Sequence, residues 1–83
     1  MDKKLISLYV PAVQERFDLM VPMELEIGVL TRLLTDGVRE LCKGRFSPSG
    51  KETLSLYQPA ALLHPDKTLS NYGVEDGEQL VLI

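Results

Sequence analysis

Residues 5–10 alternate, with Ile6, Leu8 and Val10 apolar and Ser7 and Tyr9 between them. That is the period of a strand with one buried face. The alternation resumes after residues 11–15, where Phe17, Leu19 and Val21 interleave with Arg16, Asp18 and Met20. The two segments are expected to pair as a hairpin, although no Asn-Gly or Asp-Gly marks its turn and the register stays open. Beyond Pro22 the apolar spacing becomes three and four through Ile27, Leu30, Leu34, Val38 and Leu41, the stripe of a helix lying on a sheet. Glu24 and Glu26 are expected in its first turn and Lys43 in its last, followed by Gly44 as the C′ residue. No Ser, Thr, Asp or Asn stands just before this helix, and Gly28 and Gly37 each cost about 1 kcal/mol relative to alanine. Packing must hold it.

Residues 45–52, with Pro48 and Gly50, read as a loop, with Phe46 tucked back against the helix end. Residues 53–57 alternate once more. Pro59 and Pro65 then leave room only for a very short or edge strand. A turn entering a brief helical turn is expected over residues 66–73, another turn over 74–77, and a last strand over 78–83, with Leu80 and Leu82 on one face and Val81 and Ile83 on the other. The order strand, strand, helix, strand, short strand, strand lets a right-handed crossover lay the helix across one face of a mixed sheet of four to five strands, with the final strand beside the first. This is an α+β chain of the β-grasp type, and 83 residues suffice for one domain, 1–83.

Nine basic residues against twelve acidic ones, a formal charge of −3, argue against a nucleic-acid binder, which needs a basic footprint. Cys42 is the sole cysteine, so no intrachain disulfide forms. The apolar run after Lys4 is broken by Ser7 and stopped by Pro11, unlike a signal peptide, and no stretch reaches the roughly 18 apolar residues of a membrane span. A cytoplasmic chain without direct membrane insertion is expected.

Little here suggests catalysis. Residues 44–52 read Gly-Arg-Phe-Ser-Pro-Ser-Gly-Lys-Glu, but the spacing is one residue too long for a phosphate-binding loop, and Glu52 stands where a magnesium-binding Ser or Thr belongs. Cys42, His64 and Asp66 could be imagined as nucleophile, base and orienter. The helix C-terminus disfavours a thiolate at Cys42, which reads as a packing residue, and one histidine without partners is no metal site. No catalytic, metal-binding or cofactor-binding residue is named, and no enzyme is expected. Arg32, Asp36, Arg39, Glu40 and Lys43 read as a solvated helix flank, and Glu75, Asp76 and Glu78 as a solvated acidic turn.

The sheet carries the functional expectation. If Leu54, Leu56, Leu80 and Leu82 face the helix, then Tyr57, Val81 and Ile83 point away from it, and Tyr9 and Met20 extend the cluster. An uncovered apolar patch on a small domain marks a protein-binding site. The competing reading is scattered surface hydrophobes or a homodimer contact.

The stretch Asp66-Lys67-Thr68-Leu69-Ser70-Asn71-Tyr72-Gly73-Val74, leading to Gln79-Leu80-Val81-Leu82, is similar to the corresponding part of ubiquitin, and the likeness covers nearly the whole chain. Among ubiquitin-like families the chain most resembles the small EsaB/YukD proteins of bacterial type VII secretion systems. In that comparison Leu69 and Tyr72 would plug the end of the core, Ser70 and Asn71 would favour a tight turn, and Gly73 and Gly77 would take positive φ. The resemblance implies a non-conjugated accessory whose partners are cytosolic parts of the membrane secretion machinery. A ubiquitin-like modifier or sulfur carrier, the alternative, needs a Gly-Gly tail where this sequence reads Leu82-Ile83.

Overall fold

A computed structural model describes residues 2–83. Strands β1 (Lys3–Val10) and β2 (Glu15–Pro22) pair antiparallel over their full eight residues, with Ile6 opposite Leu19 and Leu8 opposite Phe17. Residues 11–14 connect them. The Val13 and Gln14 amides donate to the Val10 and Pro11 carbonyls, and Gln14 adopts a φ of 54°. Helix α1 (Ile27–Cys42) is followed by β3 (Leu54–Leu56), β4 (Ala61–Leu62), a 3-10 turn (Ser70–Tyr72) and β5 (Glu78–Leu82). The strand order is β2-β1-β5-β3-β4, with β1 and β5 parallel and the other neighbours antiparallel. The β-grasp is present, with five strands.

The core lies between α1 and one face of this sheet. Ile27, Leu30, Leu34, Val38 and Cys42 pack toward Ile6, Leu8, Val10, Val21, Leu54, Leu80 and Leu82, all buried. Fully burying a side chain of this size contributes roughly 1.5–3 kcal/mol. Leu41 departs from the expected stripe: it is 56 % exposed, while Cys42 beside it is 2 % exposed. One residue along a helix turns the side chain by about 100°, and at the last turn it is the small Cys42 that faces inward. Phe46 is buried, as its expected return to the helix end requires.

The helix starts later than its acidic flank suggests. Glu26 is the N-cap and makes no side-chain cap, and neither Glu24 nor Glu26 lies in the first turn. Loop carbonyls take the exposed amides instead: Ile27 N–H donates to Lys67 O at 2.8 Å and Gly28 N–H to Pro65 O at 3.0 Å. A Cβ at Gly28 would stand 3.2 Å from the Pro65 Cβ, so glycine permits this close approach. At the other end Lys43 is the C-cap, left-handed at φ 47° with its amide donating to Arg39 O, and Gly44 follows it as the C′ residue at φ 96°.

The segment expected to close the core does so through Leu69 and Val74, both buried. Tyr72 is not a plug. It is 38 % exposed, and its hydroxyl accepts the His64 amide at 2.9 Å, tying the turn after β4 to the 3-10 turn. Asn71 Oδ1 accepts the Thr68 amide, and the Ser70 hydroxyl donates to the Glu24 carboxylate. Gly73 and Gly77 take φ of 67° and 85°, where a side chain would be strained.

Candidate functional site

Register defines the sheet face turned away from α1. Tyr9 stands opposite Arg16 on β2 and Val81 on β5; Val81 stands opposite Ser55 on β3, which pairs with Leu62 on β4. Directly paired residues share a face, so these five form one row across the sheet. The neighbouring row is Asp18, Ser7 and Gln79, with Tyr57 beside them, its amide donating to Gln79 O at 3.0 Å.

Arg16 joins the two rows. Its guanidinium carbon lies 5.2 Å from the centre of the Tyr9 ring and 5.6 Å from that of Tyr57, and Nη1 donates to Gln79 Oε1 at 3.5 Å. Strands β2 and β3 are three spacings apart, about 14 Å, and two long side chains meet across that gap. Cation–π contacts at exposed positions are worth about 0.5–1 kcal/mol each, enough to orient Arg16 and too little to lock it.

The apolar surface on this face is therefore divided. Ile83 continues the column of Val81 and is held by reciprocal amide-to-carbonyl bonds with Thr53. Ile83 is 62 % exposed, Leu62 68 % and Tyr57 44 %. Met20, also exposed, stands opposite Leu5, four residues from Arg16 and so about 13 Å along the strand. The polar band of Asp18, Ser7 and Gln79 runs between. The structure thus brings Tyr9 and Tyr57 to Arg16, sets Val81 beside Tyr9 with Ile83 next along its strand, and leaves Met20 apart with Leu5.

Alternation sets Arg16 on the side of Met20, but sequence reasoning names neither Arg16 nor Leu62 nor Leu5 among the binding residues. A two-residue strand has no readable period, so nothing local distinguishes exposed Leu62 from buried Leu63. Leu5 did carry a signal, since alternation with Ile6 puts it on the side of Tyr9. Ser55 also faces outward yet is buried; its hydroxyl reaches the carbonyls of Leu56 at 2.9 Å and Ala61 at 3.1 Å.

Other groups are placed too far apart, or are too fully occupied, to make a second site. His64 lies beside the start of α1, where Pro65 accepts the Gly28 amide, and Cys42 ends the helix, so about 20 Å of helix separates the two. The His64 Nδ1 accepts the Asp66 amide, and the Cys42 thiol lies 4.0 Å from Glu15 Oε2. Among the described residues no three His, Cys, Asp or Glu side chains could share a metal ion, and no helix is long and apolar enough to cross a membrane. A groove of about 450 Å³ runs between α1 and the loop before β3, over Leu54, Leu63 and Pro65. Its buried hydroxyls, Thr31 and Thr35, each donate to the carbonyl four residues earlier at 2.7 Å. Asp36 on its rim pairs with Arg39 at 3.6 Å.

Two charges near that loop are shifted. Desolvation works to raise the Glu52 carboxyl, but hydrogen bonds from the Ser49 and Gly50 amides and the Ser49 hydroxyl outweigh it and hold the group below its usual range. The hydrogen bond to Glu15, at 2.6 Å, and then the Glu15 charge push the Arg45 guanidinium up, tying the segment after α1 to the start of β2.

The family model described as "WXG100 protein secretion system (Wss), protein YukD" matches residues 5–82. No curated relative matches the sequence. Among solved structures, the ubiquitin-like domain of the Mycobacterium tuberculosis type VII secretion system protein EccD1 superposes with a TM-score of 0.78 at 16% identity, covering 100% of this chain and 99% of that one. A chain of the MycP5-free ESX-5 inner membrane complex, State II, gives 0.81 at 19% identity over 100% of this chain and 21% of that one. Caldiarchaeum subterraneum ubiquitin gives 0.68 at 24% identity, covering 99% and 92%. At these identities the structural likeness establishes the ubiquitin-like β-grasp fold.

Proposed function

The chain belongs to the YukD family of the WXG100 secretion system, and from that premise we propose that it is a non-conjugated, protein-binding accessory of a type VII secretion system, docking through the bare face of its sheet. The carrying observation is that α1 covers one side of the five strands, while Tyr57, Leu62 and Ile83 stand exposed on the other with Tyr9 and Val81 between them. Exposed apolar side chains ringed by polar ones are the composition of an interaction site. Arg16, oriented by two tyrosines, supplies a guanidinium at the edge of the patch, so a partner presenting a carboxylate beside an apolar side chain matches it best.

The partner class is cytosolic parts of the membrane secretion machinery. Support comes from the family and from the ESX-5 inner membrane complex, one chain of which contains a domain of this fold. The test is affinity capture from the chain's own cells, comparing wild type with the Tyr57→Ala, Ile83→Asp double variant after confirming that both fold. Secretion-apparatus components should be recovered with wild type and lost from the variant. Equal recovery would remove this face from consideration.

A further inference from the structure

Strand β2 is the outermost strand on its side of the sheet, so one row of its backbone groups has no ladder partner among the described residues. Which row follows from β1. The Leu5 amide donates to Asp76 Oδ1 at 2.9 Å and its carbonyl accepts the Gly77 amide at 2.8 Å, so the odd-numbered residues of β1 turn their backbone groups toward the β5 side. The even-numbered ones turn toward β2, where Ile6 meets Leu19 and Leu8 meets Phe17. Odd-numbered residues of β2 answer β1, as Met23 does when its amide donates to Asp2 O. The backbone groups of Arg16, Asp18 and Met20 therefore point off the sheet. Pro22 occupies the next place in that row, where a missing N–H is tolerated.

We propose that this edge pairs with the same edge of a second copy, antiparallel about a twofold axis at Phe17. Arg16 of each chain then stands directly opposite Asp18 of the other. Both positions present free backbone groups, so each pair can exchange two backbone hydrogen bonds and also sets opposite charges side by side on the outer face. The symmetry repeats this once more, and Phe17 meets its counterpart on the inner face. Centring the axis on Arg16 or Asp18 would set like charges against each other. Centring it on Leu19 would put Arg16 against Pro22, which has no amide. Charges on an edge strand ordinarily deter pairing. Here two opposite charges spaced two apart, together with Pro22, favour the register centred on Phe17 over those centred on Arg16, Asp18 or Leu19.

The helix adds an apolar contact on the same side. The flank of α1 that carries Gly28, Arg32 and Asp36 lines the groove along Leu54 and Leu63. Leu33, Gly37 and Leu41 fall on the opposite flank, toward β2, and the Cys42–Glu15 contact fixes the helix end there. Leu33 and Leu41 are both more than half exposed, and the space beside Gly37 is open. A strand edge and two leucines per copy bury less than about 1,000 Å², so the dimer is weak. Arg16 gives up its ring contacts for an exposed ion pair of similar worth; backbone and apolar contacts carry the association, and charge selects the register.

The experiment uses the purified full chain and sedimentation equilibrium from about 10 μM to about 1 mM. Wild type should dimerise with concentration. R16D and D18R, each confirmed to be folded, should each associate at least about tenfold more weakly, because each places like charges opposite one another. An equimolar mixture of the two variants should recover association, since in the mixed pair every altered charge meets its opposite. Wild type remaining monomeric throughout, as it would if only a foreign strand used this edge, overturns the proposal. So does a mixture no tighter than either variant alone. Neither result bears on docking at the sheet face, which is read in cells with other substitutions.

Discussion

Leu80 and Val81 are neighbours on β5, yet they belong to different environments. Leu80 has no exposed surface and lies under α1, whereas Val81 is half-buried on the face turned away from α1, which carries no other element among the described residues. The same contrast runs along β1, where Leu8 is sealed and Tyr9 lies beneath the Arg16 guanidinium. One face is closed by volume, through close-packed side chains that tolerate no gap. The other is organised by a single cation resting between two rings. The difference teaches that this domain concentrates its close packing on one side of the sheet and leaves the other to be ordered by sparse polar and cation–π contacts.

Substitutions on adjacent residues can break or sharpen that contrast. Leu80→Ala should lower unfolding free energy by about 2–5 kcal/mol in denaturant titration, and Val81→Ala by less than about 1.5 kcal/mol. Comparable losses would mean that the outer face is packed after all. Ser55→Ala, on the outer face but buried, should cost an intermediate amount of about 0.5–1.5 kcal/mol, since the hydroxyl holds the β3–β4 corner. Arg16→Ala should cost no more than about 1 kcal/mol while moving the ring proton resonances of both Tyr9 and Tyr57. A shift at one ring alone would show that the bridge does not form.

The smallest effect is expected at Glu52, which belongs to neither face. Its folded-state pKa is depressed, so its contribution is present above the unfolded-state value of about 4.3 and is lost as pH falls through the lower folded value. The residue is half-buried between exposed neighbours, and solvent screening keeps the contribution under about 1 kcal/mol. Below about pH 4 the Ser49 and Gly50 amide resonances should shift while those of β1 and β5 stay unchanged. Glu52→Gln should abolish that pH dependence.

Much of this architecture was legible from local pattern. Period two in residues 5–10 and 16–21 produced the hairpin, and the spacing from Ile27 to Val38 the covering helix. Gly73 and Gly77 adopt the positive φ expected of them. The candidate face was only partly legible. Alternation put Tyr57, Val81 and Ile83 away from the helix, but it ranks positions by hydrophobicity and passes over an arginine that holds two tyrosines together. Short segments failed for a related reason, since β4 has two residues and no period to read.

By itself the sequence determined which residues prefer to leave water and at what spacing, and therefore the elements, their order and the sidedness of each strand. Tertiary structure alone decided who stands beside whom. Glu26 precedes the helix because carbonyls some forty residues later cap it, and Leu41 stays in solvent while Cys42 turns inward. Arg16 meets Tyr57 only because β1 and β5 lie between their strands. The physical reason is range: periodicity acts within one element, whereas pairing, capping and cation–π contacts join residues that the chain brings together only once the sheet has closed.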